Sequence, residues 1–227
     1  MKMILNNSIH IFLQPQSNIG KGYISLLLKQ YLSEKNDIGY FLIKKKNIAL
    51  WDDLFNEIVK QKKTVFIISV SSICFVEFSK YLRETKIFNS IKALEIDVFN
   101  HYIFTPGRNG EGVQEIFNFI ASTIKKRSGK NIIWENNNLG TTLKNYTKGQ
   151  CSMLKDFPGF KEIKNDIFTT IYLPAETLCF QKDLSFHIRS GKTFNQAIYH
   201  SPNNLIFRQR LYQIKKRTFK AMENGSI

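Results

Sequence analysis

Pro15-Gln16-Ser17-Asn18-Ile19-Gly20-Lys21-Gly22, near the amino terminus, has the make-up of a loop that holds phosphate. A short apolar run, Ile9 to Leu13, leads into it, and from Lys21 onward apolar residues recur at helical spacing. Such a loop works because backbone N–H groups at a helix N-terminus curl round phosphate oxygens, aided by the helix dipole. A lysine adds a point charge to the outer phosphates, and a Ser or Thr hydroxyl binds magnesium, in the spacing G-x-x-x-x-G-K-[ST]. This chain keeps the closing pair, Gly20 and Lys21. Pro15 stands where the first glycine is usual, and Gly22 where the hydroxyl is usual. Gln16, Ser17, Asn18, Ile19 and Tyr23 complete the candidate phosphate contacts. On spacing alone, an ordinary strand-to-helix turn is the competing reading.

The other reactive side chains form no recognisable constellation. Cys74, Cys151 and Cys179 are far apart and make no C-x-x-C pair, so neither a metal site nor a disulfide framework is expected, and a reducing cytosol fits. His10, His101, His187 and His200 lack metal-ligand spacing and are expected to be structural or exposed. The charge balance is the strongest compositional signal: Lys+Arg 33 against Asp+Glu 18 gives +15. Such an excess attracts polyanions, either nucleic acid or an anionic membrane surface. A bias toward Lys, Asn, Ile and Phe codons accounts for the same numbers without a partner. The cations concentrate in "RQRLYQIKKRTFKAMENG", where Arg208, Arg210, Lys215, Lys216, Arg217 and Lys220 share one helix. Phe207, Leu211, Ile214 and Thr218 make its inward stripe. Those six cations are the candidate contacts to a DNA phosphate backbone.

The elements that must position these residues read as follows. Strands are expected at Ile9–Leu13, Gly39–Ile43, Thr64–Val70, about Phe99–Thr105, from Asn131, and ending at Pro174. Helices lie between them. One carries Ile24, Leu27, Leu28, Tyr31 and Leu32 on one face, a second Trp51, Leu54, Phe55 and Ile58, and a third runs to about Arg83, capped by Ser71 or Ser72. A fourth carries Val113, Ile116, Phe117, Ile120 and Ile124. Three more close the chain, from about Glu176, from Thr193, and from Pro202 with Ser201 as N-cap. Strands alternating with helices give an α/β fold of three layers, a mostly parallel sheet flanked by helices on both faces. No linker divides the chain, so one domain is expected over residues 1–227, its basic last helix spanning about 202–224. No run reaches the roughly 18 apolar residues of a membrane span. The N-terminus is broken by Asn6, Asn7 and Ser8 and reads as an extended lead-in rather than a signal peptide.

The residues around the loop resemble a known family. Leu13-Gln14, then Ile19-Gly20-Lys21, then Lys29-Gln30-Tyr31-Leu32 are similar to the opening of TraL-type conjugal-transfer proteins, relatives of the plasmid-stability StbB proteins. These belong to the ParA/MinD class of P-loop ATPases. The carboxyl-terminal stretch Phe180 to Leu211, with Thr193-Phe194 and Arg208-Gln209-Arg210-Leu211, resembles that family's closing segment. "IIWENNNLG" and "IYLP" resemble its strand-loop carrying an Asn and its strand ending in Pro. The resemblance implies a ParA/MinD-like fold, ATP or ADP as ligand, and DNA, transfer or partition proteins and a second copy of the chain as partners. It implies that Lys21 and Gly20 hold phosphate, that Asn136 contacts adenine, and that the loop after Pro174 flanks the base.

The departures from the family pattern concern charge. Gln16 occupies the place of the lysine that reaches a partner subunit's nucleotide, and Ser17 and Asn18 replace glycines. Ser69 falls where the third strand carries the carboxylate that holds magnesium's water shell, and Asp37 precedes the second strand rather than following it. Phosphoryl transfer in this class is mostly positioning and charge neutralisation, and each lost electrostatic element costs roughly 10²–10³ in rate. A nucleotide-binding protein with weak or absent ATP hydrolysis, and without resident magnesium, is therefore expected. The alternatives are a slow Mg-ATPase of plasmid partition and a structural adaptor that binds no nucleotide. A dethiobiotin-synthetase-like ligase would need the phosphate loop and the magnesium carboxylates that this chain lacks. Lipid contact by the last helix ranks below DNA, because its apolar stripe is interrupted.

Overall fold

The computed structural model describes residues 7–60, 63–105, 111–137, 154–157, 159–174, 176–199 and 204–227. Six apolar segments form one sheet: β1 (Ser8–Phe12), β2 (Ile38–Ile43), β3 (Val65–Val70), β4 (Asp97–Phe104), β5 (Lys130–Asn136) and β6 (Ile167–Leu173). Their order is β2-β3-β1-β4-β5-β6, and every neighbouring pair is parallel. β1 and β3 are buried along their whole length, including the polar Ser8, His10 and Ser69, as strands covered on both sides are.

The helices are α1 (Lys21–Leu32), α2 (Ile48–Val59), α3 (Phe75–Thr85), α4 (Ile87–Ala93), α5 (Glu111–Ile124), α6 (Phe160–Ile163), α7 (Leu178–Ser190), α8 (Phe194–Tyr199) and α9 (Leu205–Asn224). Alternation along the strands sorts them into two layers. Ile9, Ile11 and Leu13 of β1 and the segment after it pack with Trp51, Leu54 and Phe55 of α2, Phe78 and Leu82 of α3 and Ile91 of α4. Phe12 faces the other way, in a core with Ile24, Leu27 and Leu28 of α1, Phe194 of α8 and Leu211 and Ile214 of α9. The architecture is three-layer α/β, as the alternation of elements predicts.

The apolar faces expected of α1, α2 and α9 are the buried ones: Ile24, Leu27, Leu28 and Leu32; Trp51, Leu54, Phe55 and Ile58; Phe207, Leu211, Ile214 and Thr218. Several boundaries differ. Neither Ser71 nor Ser72 caps α3 by side chain; a 3-10 turn, Ser72–Cys74, leads into that helix instead. α9 spans Leu205–Asn224, and its cap is Asn204, whose side chain accepts from the Phe207 N–H at 2.9 Å. The expected Ser201–Pro202 start, the Pro106-Gly107 turn and most of the polar loop after Asn136 lie outside the described residues. α4 was not expected. Its apolar residues Ile87, Phe88 and Ile91 are too few for a helical period to stand out.

The approach to β5 depends on one glycine. Gly129 has φ +107, and a Cβ there would lie 2.5 Å from the Val98 carbonyl oxygen. Gly129→Ala is expected to destabilise by about 1–3 kcal/mol through strain and displacement of β4. A urea midpoint indistinguishable from the parent would refute this.

Candidate functional site

In an open parallel sheet, ligands bind at the carboxyl edge where successive connections leave in opposite directions. The connection from β1 runs outward through α1 to β2, whereas that from β3 returns across β1 to β4. The segment after β1 therefore emerges at the switch point, and it is the loop that the sequence singles out.

Four long-range contacts hold the loop. The Gln14 side chain lies level with Ile103 and pairs with its backbone both ways, donating from Nε2 to the carbonyl at 3.0 Å and accepting the N–H at 2.9 Å. Arg127, at the end of the α5 connection, donates to the Leu13 carbonyl at 3.1 Å. Asn136, at the end of β5, donates to the Ile19 carbonyl at 3.2 Å. Ile19 itself is buried in the core. Asn18 and Gly20 take positive φ, 54° and 94°, turning the backbone into the first turn of α1. Gly20 is the N-cap of α1, and no side chain caps that helix or supplies an acidic group to its first turn. The N–H groups of the first turn are thus left for a ligand or water.

Lys21 points into this loop. Its Nζ donates to the Gln14 and Gln16 carbonyls, both at 2.5 Å, and the residue is buried. Burial pulls the ammonium's pKa down to about 8, so the two carbonyls do not offset its loss of water. An anion seated on the loop would supply the missing counter-charge. Beside Lys21, the Gln16 Oε1 is buried with no hydrogen-bond partner. Ser17 belongs to the same turn.

The magnesium side of the site does not assemble. A Cβ built on Gly22 meets nothing within 4 Å, so the hydroxyl is missing by sequence and not for want of space. Ser69 is buried at the β3 position where a carboxylate is usual. Glu135, near the carboxyl end of β5, is two strands from β1 and accepts the Leu154 N–H, and burial raises its pKa. Asp37 is at the opposite edge, paired with Lys63. Among the described residues there is no cluster of His, Cys, Asp or Glu fit to hold a metal. The residues present suit a phosphate and do not suit the divalent ion.

The remaining expected contacts fall at different distances from the loop. Asn136 reaches the loop itself, as a backbone tie. Pro174 is half-buried at the end of β6, three strands from β1. The segment after it nevertheless approaches α1: the Tyr23 hydroxyl, buried and without a partner, has its pKa raised by burial and by the Glu176 carboxylate. Glu176 accepts from Arg217 of α9 at 2.8 Å. Arg217 also lies over the Phe180 ring. Arg210 pairs with Asp183 of α7, and Lys215 pairs with Glu34 at 3.0 Å. Three of the six α9 cations thus bind that helix to its neighbours. Arg208 is half-buried with an unpartnered Nε, while Lys216 and Lys220 are exposed.

Sequence reasoning missed the supports. His10 and His101, in β1 and β4, meet under the loop with Nδ1 to Nε2 at 2.9 Å. Trp134 donates to His101 Nδ1 at 2.8 Å, and Ser8 Oγ lies 3.4 Å from His10 Nε2. Both rings are fully buried and neutral, and desolvation lowers both pKa values, that of His10 to about 3. Trp134 can only donate, so His101 carries its proton on Nε2, and His10 must then carry its own on Nε2. The chain therefore has one direction, from Trp134 through His101 and His10 to Ser8. Polar residues inside otherwise apolar strands were its only sequence signal.

No protein-family model matches the chain, and no curated protein matches it. Among solved structures, the chain is similar to the MinC:MinD cell division protein complex of Aquifex aeolicus. The similarity covers 97% of each chain at 9% identity and a TM-score of 0.37. Agreement at that level is too loose to argue from, and the fold stands on the six parallel strands and their order.

Proposed function

We propose that this chain is a ParA/MinD-like nucleotide-binding protein of plasmid transfer or stability, with little or no ATP hydrolysis. The observation that carries the reading is the buried Lys21 ammonium, with no carboxylate partner among the described residues, beside the uncapped first turn of α1. Lys21 and the backbone N–H groups of Gly20, Lys21 and Gly22 hold the phosphates of ATP or ADP. Tyr23, Asn136 and the segment after Pro174 close the site on the side of α1 and β5. Gly22 and Ser69 leave magnesium without its ligands, so charge neutralisation falls to Lys21, which suits binding and not turnover. Duplex DNA and transfer proteins are the partners that the resemblance implies, and Lys216 and Lys220 of α9 remain exposed for a phosphate backbone.

Calorimetry with ATP and ADP, each with magnesium and with a chelator, tests the reading. Binding that is indifferent to magnesium, with no phosphate released, is expected. Absence of heat with either nucleotide would leave a structural adaptor; hydrolysis abolished by Lys21→Ala would make the chain an ordinary ATPase. Gly22→Ser adds a hydroxyl where space is open. It is expected to make ATP binding about tenfold tighter with magnesium than without, worth about 1.4 kcal/mol.

A further inference from the structure

A cavity lies against α1, between that helix and the turn joining α7 to α8. Its volume is about 140 Å³. A single water needs about 10–15 Å³ measured in this way, so a ligand of several heavy atoms fits. Lys29 and Gln30 of α1, Tyr23 one turn earlier, His187 of α7, and Lys192 line it, over an apolar floor of Leu27. No carboxylate is among its lining residues, whereas two ammonium groups are. Lys29 is held over the Tyr40 ring, and Lys192 is exposed at the rim.

The polar groups of the wall are incompletely used. The His187 ring is 3% exposed and stacks on Phe194 at 4.4 Å. Its Nδ1 has no hydrogen-bond partner, and neither has the Tyr23 hydroxyl. A buried polar atom without a partner is costly, so the unpartnered His187 Nδ1 on the wall of a cavity marks a place where a ligand can supply the missing bond. Gln30 is different. Its Oε1 accepts the Phe194 N–H at 2.8 Å and fixes the wall that α8 supplies.

We infer that this cavity is a binding site for a small organic anion, a carboxylate or phosphate ester with a short apolar body. Lys29 and Lys192 take the anionic head, and Leu26, Leu27 and Ile188 take the body. Tyr23 is shared with the proposed nucleotide site, but the cations of this cavity are not, since neither Lys29 nor Lys192 belongs to the loop after β1.

Sodium benzoate is a suitable probe, with benzamide as its neutral counterpart, titrated at fixed ionic strength and followed by calorimetry. Saturable benzoate binding is expected, at least tenfold tighter than that of benzamide. The Lys29→Gln, Lys192→Gln double variant alters only a half-buried and an exposed side chain and is expected to lose at least tenfold in benzoate affinity. Leu26→Trp, which fills the cavity from a partly exposed position, should abolish binding. Lys21→Met should leave it unchanged. Equal binding of benzoate and benzamide would mean an apolar void and overturn the inference. So would the absence of saturation, or loss of benzoate binding in Lys21→Met with retention in the double variant.

Discussion

Lys21→Met is expected to remove at least half of the nucleotide-dependent stabilisation while leaving the ligand-free fold intact. The lysine is buried, its pKa is pulled down to about 8, and its only described partners are two carbonyls of its own loop. Below pH 8 it is charged in both the folded and the unfolded chain, and the folded chain bears the full cost of its desolvation. Between pH 8 and the ordinary value of 10.5 the folded chain releases the proton first, so that cost is relieved. Stability of the parent should therefore rise across that window, by up to about 3 kcal/mol at 1.36 kcal/mol per pH unit. Methionine keeps the bulk of the side chain and removes this rise. It also removes the charged contact to phosphate, worth about 1.5–3 kcal/mol, or roughly 10–150-fold in affinity. Melting curves with ADP at about 100 times its dissociation constant should show about 2.7 kcal/mol of stabilisation in the parent. The same ADP should stabilise the variant by only about 0.3–1.4 kcal/mol, and equal stabilisation of both proteins would end the case for the loop.

Mild acid should unfold the protein by way of the buried histidine pair. His10 stays neutral in the fold down to about pH 3, against 6.5 when free. Above pH 6.5 it is neutral in both states and contributes no pH dependence. Below it, only the unfolded chain takes up the proton, so stability falls as pH drops from 6.5 toward 3. At 1.36 kcal/mol per unit, His10 alone accounts for about 2 kcal/mol by pH 5 and about 5 kcal/mol by pH 3. His101 acts in the same direction, since a proton on either ring would place two donors face to face. His187, lowered to about 4 by burial, adds to the loss. Against a usual total of 5–15 kcal/mol, this is enough to bring the acid midpoint above pH 4. Urea midpoints at pH 7, 6 and 5 measure the slope directly, and a flat profile would contradict it. A His10→Asn, His101→Gln variant is expected to be weaker at pH 7 yet to show a shallower slope.

The fold and the loop were legible in the sequence for the same reason: both are local. The run Val65–Val70, the stripes of α1 and α2, and the Gly20-Lys21 pair declare themselves within a few residues of chain. What the sequence hid was pairing across distance. His10 and His101 are 91 residues apart, and nothing local says that they touch. Arg210, Lys215 and Arg217 read as a free basic face because their carboxylate partners Asp183, Glu34 and Glu176 lie on other elements. The sequence placed the stripe of α9 correctly and overstated its free charge. Asn136, given by resemblance as a base contact, also donates to the Ile19 carbonyl, 117 residues away, which nothing local announces.

Gln14 sets a rule of length for any relative of this chain. Its amide takes the part of a peptide group opposite Ile103, so the side chain adds one more rung to the ladder between β1 and β4. One residue more or fewer between Phe12 and Gln14 would turn that amide to the other face of the sheet. Insertions and deletions should therefore be excluded between β1 and the glutamine.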